Sequence, residues 1–516
     1  MKNLQTDPCK EKVLLDGSSL VIEDVIAVAR YGKKAALHPG ALEKIEAARA
    51  MVEKLVQEGQ VVYGITTGFG RFSDVVISKE DVLKLQKNLI ASHAAAVGDP
   101  LPAEVVRGAM LLRVNALAKG HSGVRPAVVQ QLLELLNRGV TPVVPGQGSL
   151  GASGDLAPLS HIVLVLTGQG EAYYRGRRLP GAKALLEAGL QPLALMEKEG
   201  LALINGTQIM SSLGCLALFD AFNLLKGAHI VSALTLEALQ GVPGAFDELI
   251  AAARPHPGHA SSAANIRRLI AGSRLVGSHA RKVQDAYSLR CIPQVHGATA
   301  DALAYVRRVL EVEINSANDN PLLFPAEGRV LSGGNFHGQP VAQALDLLAI
   351  AVAELGSISE RRIERLVNPA LSELPPFLIN TGGLNSGFMI AQYTAASLVS
   401  ENKVLCHPAS VDSIPSSANQ EDHVSMGTTA ARKARQVVEN VGRILGIELL
   451  AACQAVDFRG AELLGAGTTL AYRELRKKVK FIEEDCILYP LINEATELLA
   501  SGSLVSAVEK KVPLEV

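Results

Sequence analysis

Several features that would assign the chain to a common functional class are missing from its sequence. The formal net charge of the 516 residues is only -1 at pH 7, and no concentrated basic stripe is present, which argues against nucleic acid as the main partner. No stretch reaches the roughly 18 consecutive apolar residues that a membrane-spanning helix needs. The N-terminal segment MKNLQTDPCKEK also lacks the apolar core of a signal peptide.

Disulfide and metal-binding patterns are missing as well. No C-x-x-C pair occurs, and the cysteines lie far apart, at Cys9, Cys215, Cys291, Cys406, Cys453 and Cys486. This spacing suits free thiols in a reducing cytosol. There is no H-E-x-x-H motif, and the Pro-Gly inside HPGH (256–259) predicts a solvated loop rather than two ligands on one helical face. We therefore expect a soluble cytoplasmic protein without a metal or an external cofactor.

Helical periodicity dominates the sequence. Apolar residues recur every three or four positions in residues 41–59 and 126–139. Longer helices are predicted in the C-terminal half, over residues 298–315, 340–367 and 428–456. Helices of this length that are apolar around much of their circumference require burial on several sides. This favours a helical bundle that is extended by other subunits.

Strand-like segments are few and lie toward the N-terminus, at residues 61–69 and 161–174. We therefore predict a mainly α protein, with a long-helix bundle as its core and a smaller mixed α/β region before it. No Pro/Ser-rich linker separates the two parts. A boundary near residue 200 gives an N-terminal domain, 1–200, and a helical-bundle domain, 201–516.

The glycine-rich segment GQGSLGASGD (146–155) fits two motifs in part. Its first six residues match the dinucleotide-binding pattern G-x-G-x-x-G, but the preceding TPVVP is a poor central strand and no βαβ unit follows. The nucleophile-elbow pattern fails because Asp155 stands where its last glycine should be. Asp155 is instead predicted to be the N-cap of a helix that has Pro158 in its first turn. A flexible loop without chemistry is one remaining interpretation.

The other interpretation is a backbone reaction at Ala152-Ser153-Gly154. Glycine has no side chain to block its amide nitrogen and adopts strained backbone angles, so the nitrogen of Gly154 can attack the carbonyl carbon of Ala152. Loss of two waters, one of them from Ser153, would leave a five-membered ring with an exocyclic methylene. That product is an electrophile, which no ordinary side chain supplies.

The segment GSLGASGDLAPLSH (148–161) resembles the cofactor-forming segment of the aromatic amino acid ammonia-lyases. The resemblance implies that Ala152, Ser153 and Gly154 form 4-methylideneimidazol-5-one (MIO), with Ser153 becoming a dehydroalanine. Further segments resemble blocks of the same family in the same order and cover nearly the whole chain: YGITTGFG (63–70), NLIASHAAAVGDPL (88–101), LALINGTQ (201–208), QDAYSLRCIPQVHG (284–297), EINSANDNPL (313–322), SGGNFHGQP (332–340) and SSANQEDHVSMG (416–427).

The resemblance also implies roles for single side chains. Tyr63 matches the family's candidate base for the β-proton, and Arg290 matches the cation that holds the substrate carboxylate. A free tyrosine has a pKa of about 10, so the site must stabilise the Tyr63 phenolate. The residues that correspond to contacts with the MIO ring or the substrate are Asn205, Gln284, Tyr287 and Phe336. The family also implies a homotetramer whose active sites combine loops from three subunits.

Two positions indicate the substrate. Glu421 lies where histidine-type members carry Glu and phenylalanine-type members carry Gln, and Ser92-His93 matches the histidine-type pair. The nitrogens of a buried imidazole need polar partners, whereas a phenyl ring would leave such partners unpaired. We therefore expect release of ammonia from L-histidine to give urocanate, the first step of histidine degradation. Because Thr66 is shared with tyrosine- and phenylalanine-type members, a lyase or aminomutase of that type is the alternative.

Overall fold

The computed structural model describes residues 12–68, 70–72, 74–78, 81–279 and 282–516. The predicted free thiol of Cys9 lies outside these residues. The chain divides into two compact units. Unit 1 comprises Met1–Leu216, Arg307–Asp346 and Pro408–Arg432, and unit 2 comprises Ala217–Val306, Leu347–His407 and Lys433–Val516. The boundary that the sequence suggests near residue 200 stays a prediction.

Helices dominate both units, so the predicted mainly α class is confirmed. In chain order the α-helices are α1 Ile22–Ala29, α2 Pro39–Gln57, α3 Val82–His93, α4 Ala103–Ala118, α5 Pro126–Arg138, α6 Leu156–Leu166, α7 Gly181–Glu187, α8 Glu199–Ile204, α9 Gln208–Ala238, α10 Glu248–Ala253, α11 Pro257–Leu269, α12 Tyr287–Arg290, α13 Ile292–Glu313, α14 Gln339–Val367, α15 Pro369–Ser372, α16 Met389–Leu405, α17 Gly427–Arg459, α18 Ala466–Arg476, α19 Tyr489–Ala500 and α20 Ser503–Glu509.

The strands are short and belong to unit 1. They are β1 Lys12–Leu15, β2 Lys34–Leu37, β3 Val97–Pro100, β4 Thr141–Pro142, β5 Pro145–Gln147, β6 Glu171–Tyr174, β7 Arg177–Pro180, β8 Leu322–Phe324 and β9 Arg329–Leu331. β1 pairs in parallel with β2, whereas β3–β5, β4–β6, β6–β7 and β8–β9 are antiparallel pairs. No βαβ unit surrounds the glycine-rich segment in the described part of the chain, which agrees with rejecting the dinucleotide motif.

The five helices predicted from periodicity are present as α2, α5, α13, α14 and α17. Local signals set several of their ends. Pro126 occupies the first turn of α5, and Gly139 ends that helix in the left-handed conformation, with φ 75°. The largest difference is at α13, which begins at Ile292 rather than at residue 298.

Both strand predictions need correction. Residues 161–166 belong to α6, and only Glu171–Tyr174 of the predicted segment forms a strand. A run of apolar residues reads alike in a buried strand and a buried helix, and here it packs as a helix against α3 and α8. The segment 61–69 is also not a strand: within its described residues, Tyr63–Thr66 form turns, and Thr67 makes an isolated bridge with Val76.

The core of unit 1 positions the glycine-rich segment. Every residue from Gly108 to Ala118 in α4 is buried, and α4 packs against α1 and α5. Helices α3, α6 and α8 also pack on one another. The ends of these three helices carry residues predicted to be functional, because His93 ends α3, α6 begins just after Gly154, and Asn205 follows α8.

Within the described ranges, two helices are apolar and long enough to cross a membrane by length and composition alone. They are α9 and α14, and 83% and 61% of their most apolar windows are buried inside the protein. A helix that is apolar on all sides is expected in the core of a large protein. Burial therefore accounts for the composition of both helices.

Candidate active site

Ala152-Ser153-Gly154 lies in a tight turn between β5 and α6. Ser153 and Gly154 both have positive φ angles, 54° and 77°. The backbone N–H of Gly206 donates to the Ser153 carbonyl at 3.2 Å, and the N–H of Asp155 donates to the Gly206 carbonyl at 2.7 Å. A Cβ atom on residue 154 would overlap the Gly206 carbonyl oxygen. Glycine is therefore required at position 154 by both its backbone angle and its surroundings.

Asp155 is fully buried directly after this turn. It stands at the N-cap position of α6 but makes no capping hydrogen bond there, so the predicted side-chain cap of α6 is wrong. Its carboxylate accepts the N–H groups of Ile209 and Met210 in the first turn of α9, at 2.9 and 3.0 Å. The hydroxyls of Ser149, at 2.9 Å, and Thr428 also donate to it. Burial raises the pKa of this carboxyl, and the four donors oppose that effect.

Glu421 lies beside Ala152-Ser153-Gly154. The Ser153 hydroxyl donates to Glu421 Oε1 at 3.4 Å, and the Ser416 hydroxyl donates to Oε2 at 3.2 Å. The backbones of Ser416 and Glu421 also exchange two hydrogen bonds, at 2.9 and 3.3 Å. The carboxylate is therefore held with one oxygen directed at Ser153.

Tyr63 is half-buried in the same unit. Burial raises the pKa of its hydroxyl, the backbone N–H of Gly70 opposes this, and the negative charges of Glu421 and Asp319 raise the pKa further. The role as a base that the family resemblance implies would require a stabilised phenolate at Tyr63. The groups that act on Tyr63 within the described residues of this chain instead favour the neutral hydroxyl.

His93 ends α3 and is also half-buried. The Ser92 hydroxyl lies 3.1 Å from its Nδ1 atom. Burial lowers the pKa of the imidazole, while the Leu89 carbonyl and the charge of Glu421 oppose this. Thr66, the departure from the histidine-type pattern, uses its hydroxyl within its own turn, where it donates to the Gln60 carbonyl at 2.8 Å.

Asn205 is buried at the end of α8, next to the tripeptide's partner Gly206. Its Nδ2 donates to Asp319 Oδ1 and to the Asn320 carbonyl, both at 3.2 Å. The second oxygen of Asp319 accepts from the buried Lys198 ammonium at 2.7 Å. Asn205 Oδ1 is buried without a partner among the described residues. One polar atom of Asn205 is therefore left for another group.

Several buried polar residues around the site were not predicted from the sequence. Arg113 donates to the carbonyls of Ala202 and Asn205 at 2.7 and 2.8 Å and to Asn318 Oδ1 at 3.0 Å. Burial lowers its pKa to about 10. A lone arginine in the apolar run GAMLLRVNALA was a usable signal, and Asp319 lies within the matched block 313–322. No local signal pointed to Thr428.

The remaining predicted site residues are Phe336 and a group of three residues in unit 2. Phe336 is half-buried in the turn before α14 in unit 1. Gln284, Tyr287 and Arg290 belong to unit 2, where they form one cluster. Arg290 Nη1 donates to Gln284 Oε1 at 2.9 Å, and its guanidinium lies over the Tyr287 ring, 4.6 Å from the centroid. Arg290 Nε is buried without a partner among the residues described.

The HPGH segment differs from its predicted form. Pro257 begins α11, and His259 is buried in that helix with Nε2 3.2 Å from Gln294 Nε2. The expectation of two solvated loop histidines is therefore wrong for His259, because proline is well suited to the first helical turn. Over the described ranges, no group of three or more His, Cys, Asp or Glu side chains is arranged to hold a metal ion.

Comparison with known proteins places the chain among enzymes. Residues 20–477 match the family model of the aromatic amino acid lyases. A protein named histidine ammonia-lyase from Caldanaerobacter subterraneus is 60% identical over 502 residues, which are 97% of this chain and 99% of the relative.

Solved structures give the same result for the fold. The crystal structure of histidine ammonia-lyase from Trypanosoma cruzi superposes with a TM-score of 0.91 at 46% identity, over 97% of this chain and 96% of that one. A tyrosine aminomutase from Streptomyces globisporus superposes with a TM-score of 0.93 at 40% identity, over 98% and 99% of the two chains. The chain therefore belongs to the aromatic amino acid lyase family.

Proposed function

We propose that the protein is a carbon–nitrogen lyase that releases ammonia from L-histidine and leaves urocanate, the first step of histidine degradation. The single observation that carries this proposal is the Glu421 carboxylate, 3.4 Å from the Ser153 hydroxyl. A carboxylate at this position can accept the N–H of a substrate imidazole, whereas a phenyl ring would leave it unpaired. The 60% identity to a relative named histidine ammonia-lyase supports the same substrate.

The tripeptide is proposed to form MIO, and its surroundings fit that group. The turn already places Ser153 and Gly154 at positive φ, and Gly154 packs where a Cβ atom would overlap Gly206. The buried Oδ1 of Asn205, which has no partner among the described residues, lies on the residue next to Gly206. Once formed, the group would supply an electrophile for the substrate. No external cofactor and no metal are needed for this chemistry.

The chain's own residues would then hold the substrate and move its proton. Tyr63 is the proposed base for the β-proton, and the Gly70 N–H acts to lower the pKa of its hydroxyl. Because burial and nearby carboxylates raise the pKa of Tyr63, its phenolate requires an additional positive charge at the site. His93 and Glu421 are proposed to contact the substrate ring, and Asn205 and Phe336 to line the site.

Arg290 is proposed to bind the substrate carboxylate. Its Nη1 is held by Gln284 and its guanidinium lies over Tyr287. No acidic side chain in the described part of the chain forms an ion pair with Arg290. A guanidinium that is oriented by an amide and a ring, but not neutralised by an acid, is suited to a carboxylate ligand.

A homotetramer with shared active sites is the proposed assembly, and the cytoplasm the proposed location. Large apolar side chains are strongly exposed in the single chain, with Val283 91%, Leu384 82% and Tyr287 70% accessible. Such exposure is typical of surfaces that other subunits cover. The described cysteines, Cys215, Cys291, Cys406, Cys453 and Cys486, form no disulfide with one another, as a reducing compartment favours. Light scattering of the purified protein would give the mass of the assembly.

Two measurements test the function. The intact mass should be short by two waters, and the unmodified mass should return in the control Ser153→Ala. Initial rates on L-histidine should exceed those on L-phenylalanine by roughly 10⁴-fold, because a phenyl ring offers the polar groups of the site no hydrogen-bonding partner. They should also exceed the initial rates on L-tyrosine. Faster turnover of L-tyrosine, or a β-amino acid as the product, would favour the tyrosine-type lyase or aminomutase.

A further inference from the structure

We propose that Ser416 is a positioning residue that fixes the Glu421 carboxylate for the imidazole ring of the substrate. This inference rests on the proposed function and extends it to a residue that does not itself touch the substrate. Ser416 would act through Glu421, so that the loss of its hydroxyl weakens recognition of the ring and leaves the chemistry of the tripeptide intact.

The two oxygens of Glu421 have different donors. Oε1 accepts the Ser153 hydroxyl at 3.4 Å, and Oε2 accepts the Ser416 hydroxyl at 3.2 Å. Formation of the proposed ring removes the Ser153 hydroxyl as water. Oε1 then loses its donor and becomes available to a substrate N–H, while Oε2 keeps Ser416. Among the described residues, Ser416 is then the remaining side-chain donor to Glu421.

The backbone between these two residues forms an unusual turn that holds them opposite each other. Ser417, Ala418 and Asn419 have φ angles of 49°, 52° and 67°. Three consecutive left-handed residues that carry a Cβ atom are unfavourable without support from their surroundings. The two backbone hydrogen bonds between Ser416 and Glu421 close the turn and provide part of that support.

The Tyr63 segment limits movement of this turn from the other side. Gly70 has a φ of 54°, and a Cβ atom on it would lie 2.5 Å from the Ser417 hydroxyl oxygen. The N–H of Gly70 is also the donor that acts on the Tyr63 hydroxyl. The turn therefore lies against the segment that contains Tyr63, the proposed base. The same turn carries Glu421, the proposed ring-binding carboxylate, and the Ser416 hydroxyl connects the conformation of the turn to the position of that carboxylate.

The experiment compares binding of urocanate to the assembled protein in four forms: wild type, Ser416→Ala, Glu421→Gln and the double variant. A hydrogen bond to a charged group typically contributes enough to expect about tenfold weaker binding for Ser416→Ala. In the Glu421→Gln background the same change should have an effect of less than about twofold, because the residue through which Ser416 acts is already altered.

Two further variants show whether weaker binding comes from a misplaced Glu421 carboxylate or from a folding defect. Ser416→Thr keeps the hydroxyl and should restore most of the affinity. Ser316→Ala, which removes a hydroxyl that donates to the Val312 carbonyl in the last turn of α13, is the matched control and should bind urocanate like the wild type. Equal losses from Ser416→Ala in both backgrounds, or no loss in either, would overturn the inference. A wild type that does not deaminate L-histidine would instead overturn the proposed function.

Discussion

Asp155 in unit 1 and Glu448 in unit 2 are both completely buried carboxylates, but they are stabilised in different ways. Glu448 forms a bidentate ion pair with the buried Arg362, at 2.5 and 2.8 Å. It also accepts the hydroxyls of Thr235 at 2.7 Å and Ser359 at 2.6 Å. Asp155 instead accepts two backbone N–H groups at the start of α9 and two hydroxyls.

The difference follows from what each carboxylate connects. Glu448 joins α9, α14 and α17 inside the core of unit 2, where the positive charge of Arg362 compensates its own. Asp155 adjoins a loop that is proposed to react, and it joins that loop to the first turns of α9 and α17. Helix N-termini stabilise a negative charge without a cationic side chain. Asp155 can thus fix the loop although no buried cation among the described residues forms an ion pair with it.

The largest expected effect is on unit 2. Replacement of Arg362 by Met leaves Glu448 as an uncompensated buried charge and should lower the free energy of unfolding by about 3–5 kcal/mol. Activity per folded subunit should change little. Denaturant titrations of the two proteins would measure this difference. The double variant Arg362→Met with Glu448→Leu should recover most of the loss, and a double variant as unstable as the single one would contradict this account.

A change at Asp155 should affect the reaction more than the fold. Asp155→Asn keeps one acceptor oxygen but places an amide NH₂ against donors, at a cost of about 1–3 kcal/mol. We expect the tripeptide turn to lose its fixed geometry and the fraction of chains that lack two waters to fall. Intact mass and thermal denaturation should be measured on the same samples. Complete modification together with wild-type activity would show that the Asp155 charge is dispensable.

A buried imidazole in unit 2 should make the stability of the protein sensitive to acid. Burial, followed by the charges of Arg362 and Lys226, lowers the pKa of His229 in unit 2 to about 3. Its pKa in the unfolded chain is about 6.5. The unfolded chain therefore binds more protons in this window, so the stability contributed by neutral His229 is present above pH 6.5 and is lost as the pH falls toward 3.

This effect can be measured with one variant. Between about pH 7 and about pH 5, His229 should account for a loss on the order of 2 kcal/mol. Denaturant titrations of the wild type and of His229→Gln at these two pH values would give the difference. A smaller loss on acidification is expected in the variant, and equal losses in both proteins would exclude His229 as the cause.

The helices could be predicted because their periodicity is a local property of the sequence. Residues 340–367 and 428–456 carry apolar positions at helical spacing, and α14 and α17 follow them closely. Residues 161–166 were mispredicted because a short β-branched run fits a strand and a buried helix equally well. The packing of this segment against α3 and α8 makes it a helix, and local sequence rules do not describe such packing.

Residues of the candidate site could be predicted from the sequence only where a motif identifies them. Glu421 and Ser153 could be named, although 268 positions separate them. The partners of Asp155 could not, because capping rules point to the helix that follows in the sequence, whereas its carboxylate reaches α9. Ser416 could not be assigned a role either, since its contact with Glu421 depends on a left-handed turn of three residues that carry Cβ atoms.

The smallest expected effects come from the removal of one hydroxyl donor to each of the two buried carboxylates. Ser149→Ala deletes a donor to Asp155, and Ser359→Ala deletes a donor to Glu448. Each change should cost about 1 kcal/mol, because each carboxylate loses one donor while other donors remain. The Ser149 hydroxyl also donates to the Gly154 carbonyl, at 3.4 Å. Ser359→Ala should lower stability alone, whereas Ser149→Ala should also lower the fraction of modified chains, since Ser149 belongs to the loop that is proposed to react. If both variants lost stability equally and both were fully modified, the two carboxylates would serve the same structural purpose.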